Sequence, residues 1–284
     1  MAYIGQSWNI SGGFAGLNSF GHVVFFGTGA YTSAILQVSY GWNPWLAWPM
    51  AAAMGGIVGC VVGVLSFRAG LRGSYFALVT LAFAEVFRIL SNSVSFTNGG
   101  LGLLITARPD PLNLQFREPI WFYYIALAMC LFSLLIAWNL TRCRFGARLV
   151  AIRENEDAAR ALGINVFREK VKVLSLSGAL GAAGGSFYMQ KYLYIDPWIA
   201  FGVDKSVEML LVSMVGGAGT ILGPLIGSFT LMTINELTRG LASTLPALKN
   251  VQPLSLVVYG IMLIIIVARL PNGLAGLVRA RRAS

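Results

Sequence analysis

Side chains able to do chemistry are sparse in this chain and stand apart from one another. It holds one histidine, His22, three cysteines, Cys60, Cys130 and Cys143, and no Gly-Lys dipeptide. One histidine supplies neither a Ser/His/Asp triad nor a multi-ligand metal centre, and the cysteines form no disulfide framework. Without Gly-Lys there is no phosphate-cradling Walker A loop. The residues therefore point to no catalytic site, no metal site and no cofactor held by this chain, so energy for any work must come from outside it.

Three groups of polar residues remain. Glu85 and Arg88 stand three apart in LAFAEVFRIL, on one helix face, where intramembrane charge is either functional or an ion pair whose arginine snorkels outward. Asn18, Ser19 and His22 lie in one glycine-rich stretch and Ser213, Gly216 and Gly217 in another. Neutral polar groups and exposed half-helix N-termini there could hydrogen-bond a small zwitterion along a translocation pathway. Ser and Asn also glue membrane helices together, and His22 reads first as a structural histidine, with a pH-sensitive gate as the alternative. The third group is RENEDAARALGINVFREK, residues 153–170, strongly charged in a chain whose first 67 residues carry no formal charge.

The elements that must position these groups follow from composition. Of the 284 residues 56% are hydrophobic and 11% charged, against about 25% charged in soluble domains, and the mean hydropathy is +0.70. This composition defines an all-α polytopic membrane protein, a single transmembrane domain over 1–284 with lipid as its surroundings. The uncharged start, MAYIGQSWNISGGF, lacks the basic region of a cleavable signal peptide. The net charge of +10 sits beside apolar spans, which reads as membrane orientation and not as nucleic-acid binding.

Apolar runs of spanning length fall at about 17–38, 44–66, 74–90, 119–141, 173–194, 205–232 and 253–269, giving about 7–9 transmembrane or re-entrant helices. Residues 142–172 hold eight Lys/Arg against four acids, and the tail 269–284 holds four Arg and no acid. Both are expected on the cytoplasmic side, with the RAGLRG turn at 68–73, while 39–44 and 91–118 face the other way. Between Lys172 and Arg269 three apolar segments must complete an even number of crossings. One must therefore turn back. The candidate is 205–232, interrupted by GGAGTILGP (216–224), whose glycines and proline break a helix; both its ends are then external. Broken backbone at membrane depth needs protein or a water-filled cavity to cover it. GGFAGLNSFGH (12–22) echoes that stretch, a weak internal repeat of the kind duplicated transporter halves leave. Asp204 and Glu208, beside Lys205, suit the start of the helix that follows, as caps or dipole partners, with contact to an external partner protein as the alternative.

In the charged loop, Asn155 suits an N-cap, Glu156 and Asp157 a first turn, and Gly163 a left-handed stop. The helix so bounded is about two turns long, too short to be stable alone. Ala158, Ala161 and Leu162 share one small face, ringed by Arg153, Glu154, Glu156, Asp157 and Arg160. The pattern fits a solvated loop or a docking helix for a soluble partner.

GGFAGLNSFGHVVFFGTGAYTSA, GSYFALVTLAFAEVFRIL, RFGARLVAIRENEDAARALGIN and GGAGTILGPLIGS together resemble the membrane subunits of branched-chain amino acid ABC importers, the longer of the two paralogous permeases, from about Gly12 to Asn272. The resemblance implies a type II ABC importer-like permease of the bacterial inner membrane, multi-pass, with a cytoplasmic C-terminus. It implies a paralogous permease partner, two cytoplasmic ABC ATPases that bind ATP and Mg, a periplasmic substrate-binding protein and an amino-acid substrate, most simply leucine, isoleucine or valine. Aromatic amino acids, urea or short amides are the alternatives within the family; an ATP-independent channel, an ion-coupled carrier or a non-transporting scaffold are those outside it. The segment from about 154 to 163 is similar to the coupling helix, so Glu154, Asn155, Glu156, Asp157, Ala158, Ala159, Arg160, Leu162 and Gly163 are expected to meet the ATPase. Relatives carry one or two further hydrophobic segments before the first block, which leaves the side occupied by Met1 open.

Overall fold

The computed structural model describes residues 1–107, 110–244, 260 and 273–275. The expected span at 253–269 and the basic tail at 269–284 lie almost wholly outside the described residues. Helix α1 (Ala2–Ala15) is followed by a non-helical stretch at 16–22 and by α2 (Val23–Val38). Then come α3 (Pro44–Arg68), α4 (Gly73–Ser93), a long loop with short 3₁₀ turns, and α5 (Pro119–Arg142). The charged segment forms α6 (Arg144–Glu154) and α7 (Glu156–Ala161), and α8 (Val166–Tyr192), α9 (Pro197–Phe201), α10 (Val203–Gly216) and α11 (Gly223–Thr244) follow. Strands β1 (Leu103–Leu104) and β2 (Tyr194–Ile195) pair antiparallel and tie the long loop to the end of α8.

The first expected span, 17–38, needs correction. Its N-terminal part is the break itself, and a separate helix, α1, precedes it. Windowed hydropathy missed α1 because its interior is polar: Gln6, Ser7, Asn9 and Ser11 are all buried among helices. Residues 44–66, 74–90 and 119–141 coincide with α3, α4 and α5, each long and apolar enough to cross a membrane. Their outer faces expose large apolar side chains such as Leu78, Leu131 and Phe132, as lipid-facing helices do. Helix α8 starts seven residues before the expected 173, because its charged first turns are satisfied: Asn165 caps the Arg168 amide, and Glu169 and Lys170 are both ion-paired.

Helix α8 is the central column. Lipid tails match the apolarity of Leu, so close packing and hydrogen bonds, not expulsion from water, hold such helices together. Small residues provide that closeness. The Trp48 indole donates to Ala183 O at 2.9 Å and the Ser175 hydroxyl to Gly56 O at 2.6 Å, which makes α3 antiparallel to α8. Helix α2 runs parallel to α8: His22 lies beside Gly181 near one end and Ser33 beside Gln190 at 3.5 Å farther along, and between them the backbones of Gly29 and Ala182 and of Phe26 and Gly185 come close. On α1, Ser7 O accepts from the Ser177 hydroxyl, fixing a third helix to the column.

Helices α10 and α11 form an antiparallel hairpin, with Val212 against Gly227 and Gly216 against Gly223. Its turn occupies 217–222. No side chain caps α10, whose N-cap is Gly202; Lys205 and Glu208 instead pair with each other at 3.2 Å, and Asp204 lies in the first turn. Glu85 and Arg88 likewise pair, Arg88 Nε donating to Glu85 Oε2 at 3.0 Å, with the guanidinium over the Trp198 ring.

Candidate functional site

The α3–α4 turn, the α6–α7 segment and both helix breaks gather at one end of the molecule. Asn155 accepts from the amides of Asp157 and Ala158, both at 3.0 Å, starting α7; Gly163 takes φ 81° just beyond its end. A six-residue helix is marginal alone, and an ion-pair hub holds it. Glu156 accepts from Arg160 at 2.8 Å, pairs with Arg72 Nε at 3.4 Å and takes a hydrogen bond from Lys170 Nζ. Asp157 adds a second contact to Arg72 at 3.3 Å. The Glu156 and Lys170 side chains are only 15% and 7% exposed, and Lys170 also lies over the Phe67 ring. Asn155→Ala is expected to weaken α7 by about 1 kcal/mol. Hydrogen exchange at the Asp157 and Ala158 amides then rises about fivefold, with Asn155→Ser close to the parent.

The expected ring of charge around α7 is only partly present. Glu156 is turned into the protein, and Arg153 reaches away from α7 to donate to Gly13 O at 2.9 Å. Glu154 is exposed and held by Arg153 at 2.8 Å. Ala159, expected at a partner surface, is 2% exposed and packs with Ile152 and Val166. One face of a short helix must anchor in its own chain, and Ala159 is that face. Ala158, Ala161 and Leu162 stay exposed, Leu162 at 80%, together with Asp157, Arg160 and Gly163.

The glycine breaks meet each other. Asn9, in the last turns of α1, receives the Gly219 amide on Oδ1 at 2.8 Å and donates through Nδ2 to Thr220 O at 2.9 Å. The two backbones approach so closely that a Cβ on Gly13 would collide with the Gly219 nitrogen. In the first break, Ser19 O accepts from the Trp8 indole at 2.8 Å and the Phe20 amide donates to Thr80 Oγ1 at 3.2 Å. These partners satisfy backbone groups that the breaks leave without helix bonding. A cavity of about 190 Å³ lies between the first break and the α6–α7 segment, lined by Gly16, Leu17, Arg72, Arg153, Asn155 and Lys170 among others.

The residues proposed for a pathway separate into two kinds. Asn18 is exposed and Ser19 buried, both in the first break. His22 is fully buried with Nε2 3.2 Å from the Ser7 hydroxyl and its ring edge-on to Phe25. Ser213 is buried and donates to Gly5 O at 2.7 Å, which makes it glue between α10 and α1. Gly216 is packed against Gly223 O, and Gly217, with φ 118°, ends α10. Ser213 and Gly216 thus make contacts between helices. Asn9 and Arg153 are outside the expected pathway set, although they join the breaks; the polar run of Gln6, Ser7, Asn9 and Ser11 in an otherwise apolar N-terminal stretch is the available signal for Asn9.

The fold is that of an all-α polytopic membrane protein in which two glycine-rich breaks, one between α1 and α2 and one at the α10–α11 turn, meet each other. The family model described as branched-chain amino acid transport system, permease component, matches residues 2–267, and the chain belongs to that family. It is 30% identical over 265 residues to the high-affinity branched-chain amino acid transport system permease protein LivM of Escherichia coli (strain K12), covering 84% of this chain and 62% of that protein. The LivM protein of Salmonella typhimurium matches with the same identity and coverage. The ribose import permease protein RbsC of Escherichia coli (strain K12) is 28% identical over 221 residues, 74% of this chain and 65% of that one. The chain thus spans less than two thirds of the length of these relatives. No solved structure gives a significant match.

Proposed function

We propose that this chain is a translocation subunit of an ATP-driven importer of amino acids, with leucine, isoleucine or valine as cargo. It works in the inner membrane beside a paralogous permease. Two cytoplasmic ATPases bind ATP and Mg, and a periplasmic binding protein delivers substrate. The basic end, with the C-terminus, is cytoplasmic. The observation that carries this reading is α7: a six-residue helix tied to the membrane helices on one side and presenting Ala158, Ala161 and Leu162 outward on the other. A solvated loop needs neither the hub nor the small apolar face. A lever between a soluble motor and the membrane needs both, because force passes only through contacts that hold.

The experiment is purification of the chain with its partners from native membranes, followed by ATP hydrolysis with binding protein and candidate amino acids. Stimulation by branched-chain amino acids, and not by aromatic amino acids, urea or short amides, is the expected result. Absence of an ATPase from the complex sinks the reading. The ion-carrier alternative requires a relay through His22, Glu85 and Arg88, yet among the described residues Glu85 is paired with Arg88 and His22 with Ser7. Uptake by the purified chain alone in liposomes is its distinguishing result.

A further inference from the structure

We propose that Arg153 and Asn9 form a latch that clamps the two helix breaks together, and that movement of α7 releases it. Gly13 lies in the last turn of α1, where carbonyls lack an intrahelical partner, and the Leu17 amide that follows turns back to Ser11 O. Arg153 supplies the missing donor to Gly13 O at 2.9 Å, placing a cation at the negative end of the helix. Asn9 does the same for the second break, satisfying one amide at Gly219 and one carbonyl at Thr220. The backbone of both breaks is therefore held by two side chains in place of regular helix bonding, and water could replace either contact at modest cost.

The geometry gives the latch a direction. Gly219 takes φ 76°, and a Cβ there would lie 2.7 Å from Arg153 Nη1 and 2.8 Å from Gly13 O. Arg153, Gly13 and Gly219 thus meet at one point, and the Arg153 stem also packs on Gly16. Arg153 is the penultimate residue of α6, two positions before the Asn155 cap of α7 and three before its Glu156 hub. Its Nε and Nη2 are held by Glu154 Oε1 at 3.2 and 2.8 Å, so a shift of α7 that carries Glu154 along draws the guanidinium off Gly13. The breaks then part at the basic end, uncovering Ser19, which is 1% exposed with the latch closed. Arg153 and Asn9 are positioning residues: they act on substrate passage through the helices they hold.

The clamp rests on contacts within this chain; its release by an ATPase rests on the proposed function. The test separates the two. Serine replaces Cys60, Cys130 and Cys143, the last keeping a cap oxygen for the Gly146 amide. Ser19→Cys reports on the first break and Ser33→Cys, buried farther along α2, serves as control, each labelled with a water-soluble thiol reagent in the purified chain. Arg153→Ala and Asn9→Ala are expected to speed labelling at S19C about tenfold, the loss of one or two buried hydrogen bonds, and to leave S33C unchanged. Arg153→Lys, still able to donate to Gly13 O, stays near the parent rate. An unchanged S19C rate in either alanine variant, or equal acceleration of both reporters, overturns the latch. In the assembled complex R153A should lower substrate moved per ATP hydrolysed; if labelling behaves as expected but no ATPase accompanies the chain, the latch stands and the importer reading fails.

Discussion

Glu156→Ala is expected to uncouple ATP hydrolysis from transport in the proposed complex with ATPases, lowering substrate moved per ATP by about two orders of magnitude. The carboxylate is the shared partner of Arg72, Arg160 and Lys170. Removing one member of a buried pair costs about 3–5 kcal/mol, because the remaining charge is left uncompensated, and Lys170 is the buried one here. The membrane helices do not depend on that contact, so the cost falls on α7, which detaches while the fold persists. Basal hydrolysis by the proposed ATPase partners is expected to continue, since the substitution leaves their own machinery untouched. Tryptic cleavage after Arg160 in the isolated chain should rise in parallel, a readout independent of any partner. E156A/K170M should recover much of the coupling, because no buried charge is then left unpaired, while the half-exposed Arg72 and Arg160 keep Asp157. Coupling unchanged in E156A would show that α7 is not held through this hub.

The second large effect concerns the central column. Gly185→Val is expected to prevent stable folding, with a cost above about 3 kcal/mol. A side chain at 185 meets the Phe26 carbonyl and the Ala30 nitrogen, which are backbone. Backbone inside a helix cannot rotate away as a side chain can, so α2 and α8 must separate along their length. Separation also strains the α1 attachment through Ser177. The expected observation is loss of monodisperse protein after detergent extraction, whereas Gly240→Ala on α11, where an added Cβ meets no described atom within 4 Å, leaves it unchanged. A folded G185V protein with near-parent thermal stability would show that these helices are not in close contact.

Much of the architecture was legible because membrane physics writes it locally. The spans α3, α4 and α5 follow from apolar length, and Asn155 and Gly163 mark the limits of α7 through cap and left-handed preferences that depend on neighbours in sequence. The glycines and proline of GGAGTILGP mark the turn between α10 and α11 for the same reason. Helix α1 was obscured because Gln6, Ser7, Asn9 and Ser11 lower its hydropathy, and only the surrounding helices show that those side chains are inside. The inward turn of Ala159 was equally hidden, since periodicity groups residues on a face without saying which face meets the chain.

The sequence by itself determined what short-range preferences and transfer energies govern: membrane residence, most helix limits, the charged loop with its capped short helix, and the two glycine interruptions. Tertiary structure alone decided what those pieces do to one another. Arg153 meets Gly13 across 140 positions and Asn9 meets Gly219 across 210, separations at which no local pattern constrains a partner. Such contacts exist only where packing brings α1, the end of α6 and the α10–α11 turn together, so the joining of the two breaks is a property of packing and could not be read along the chain.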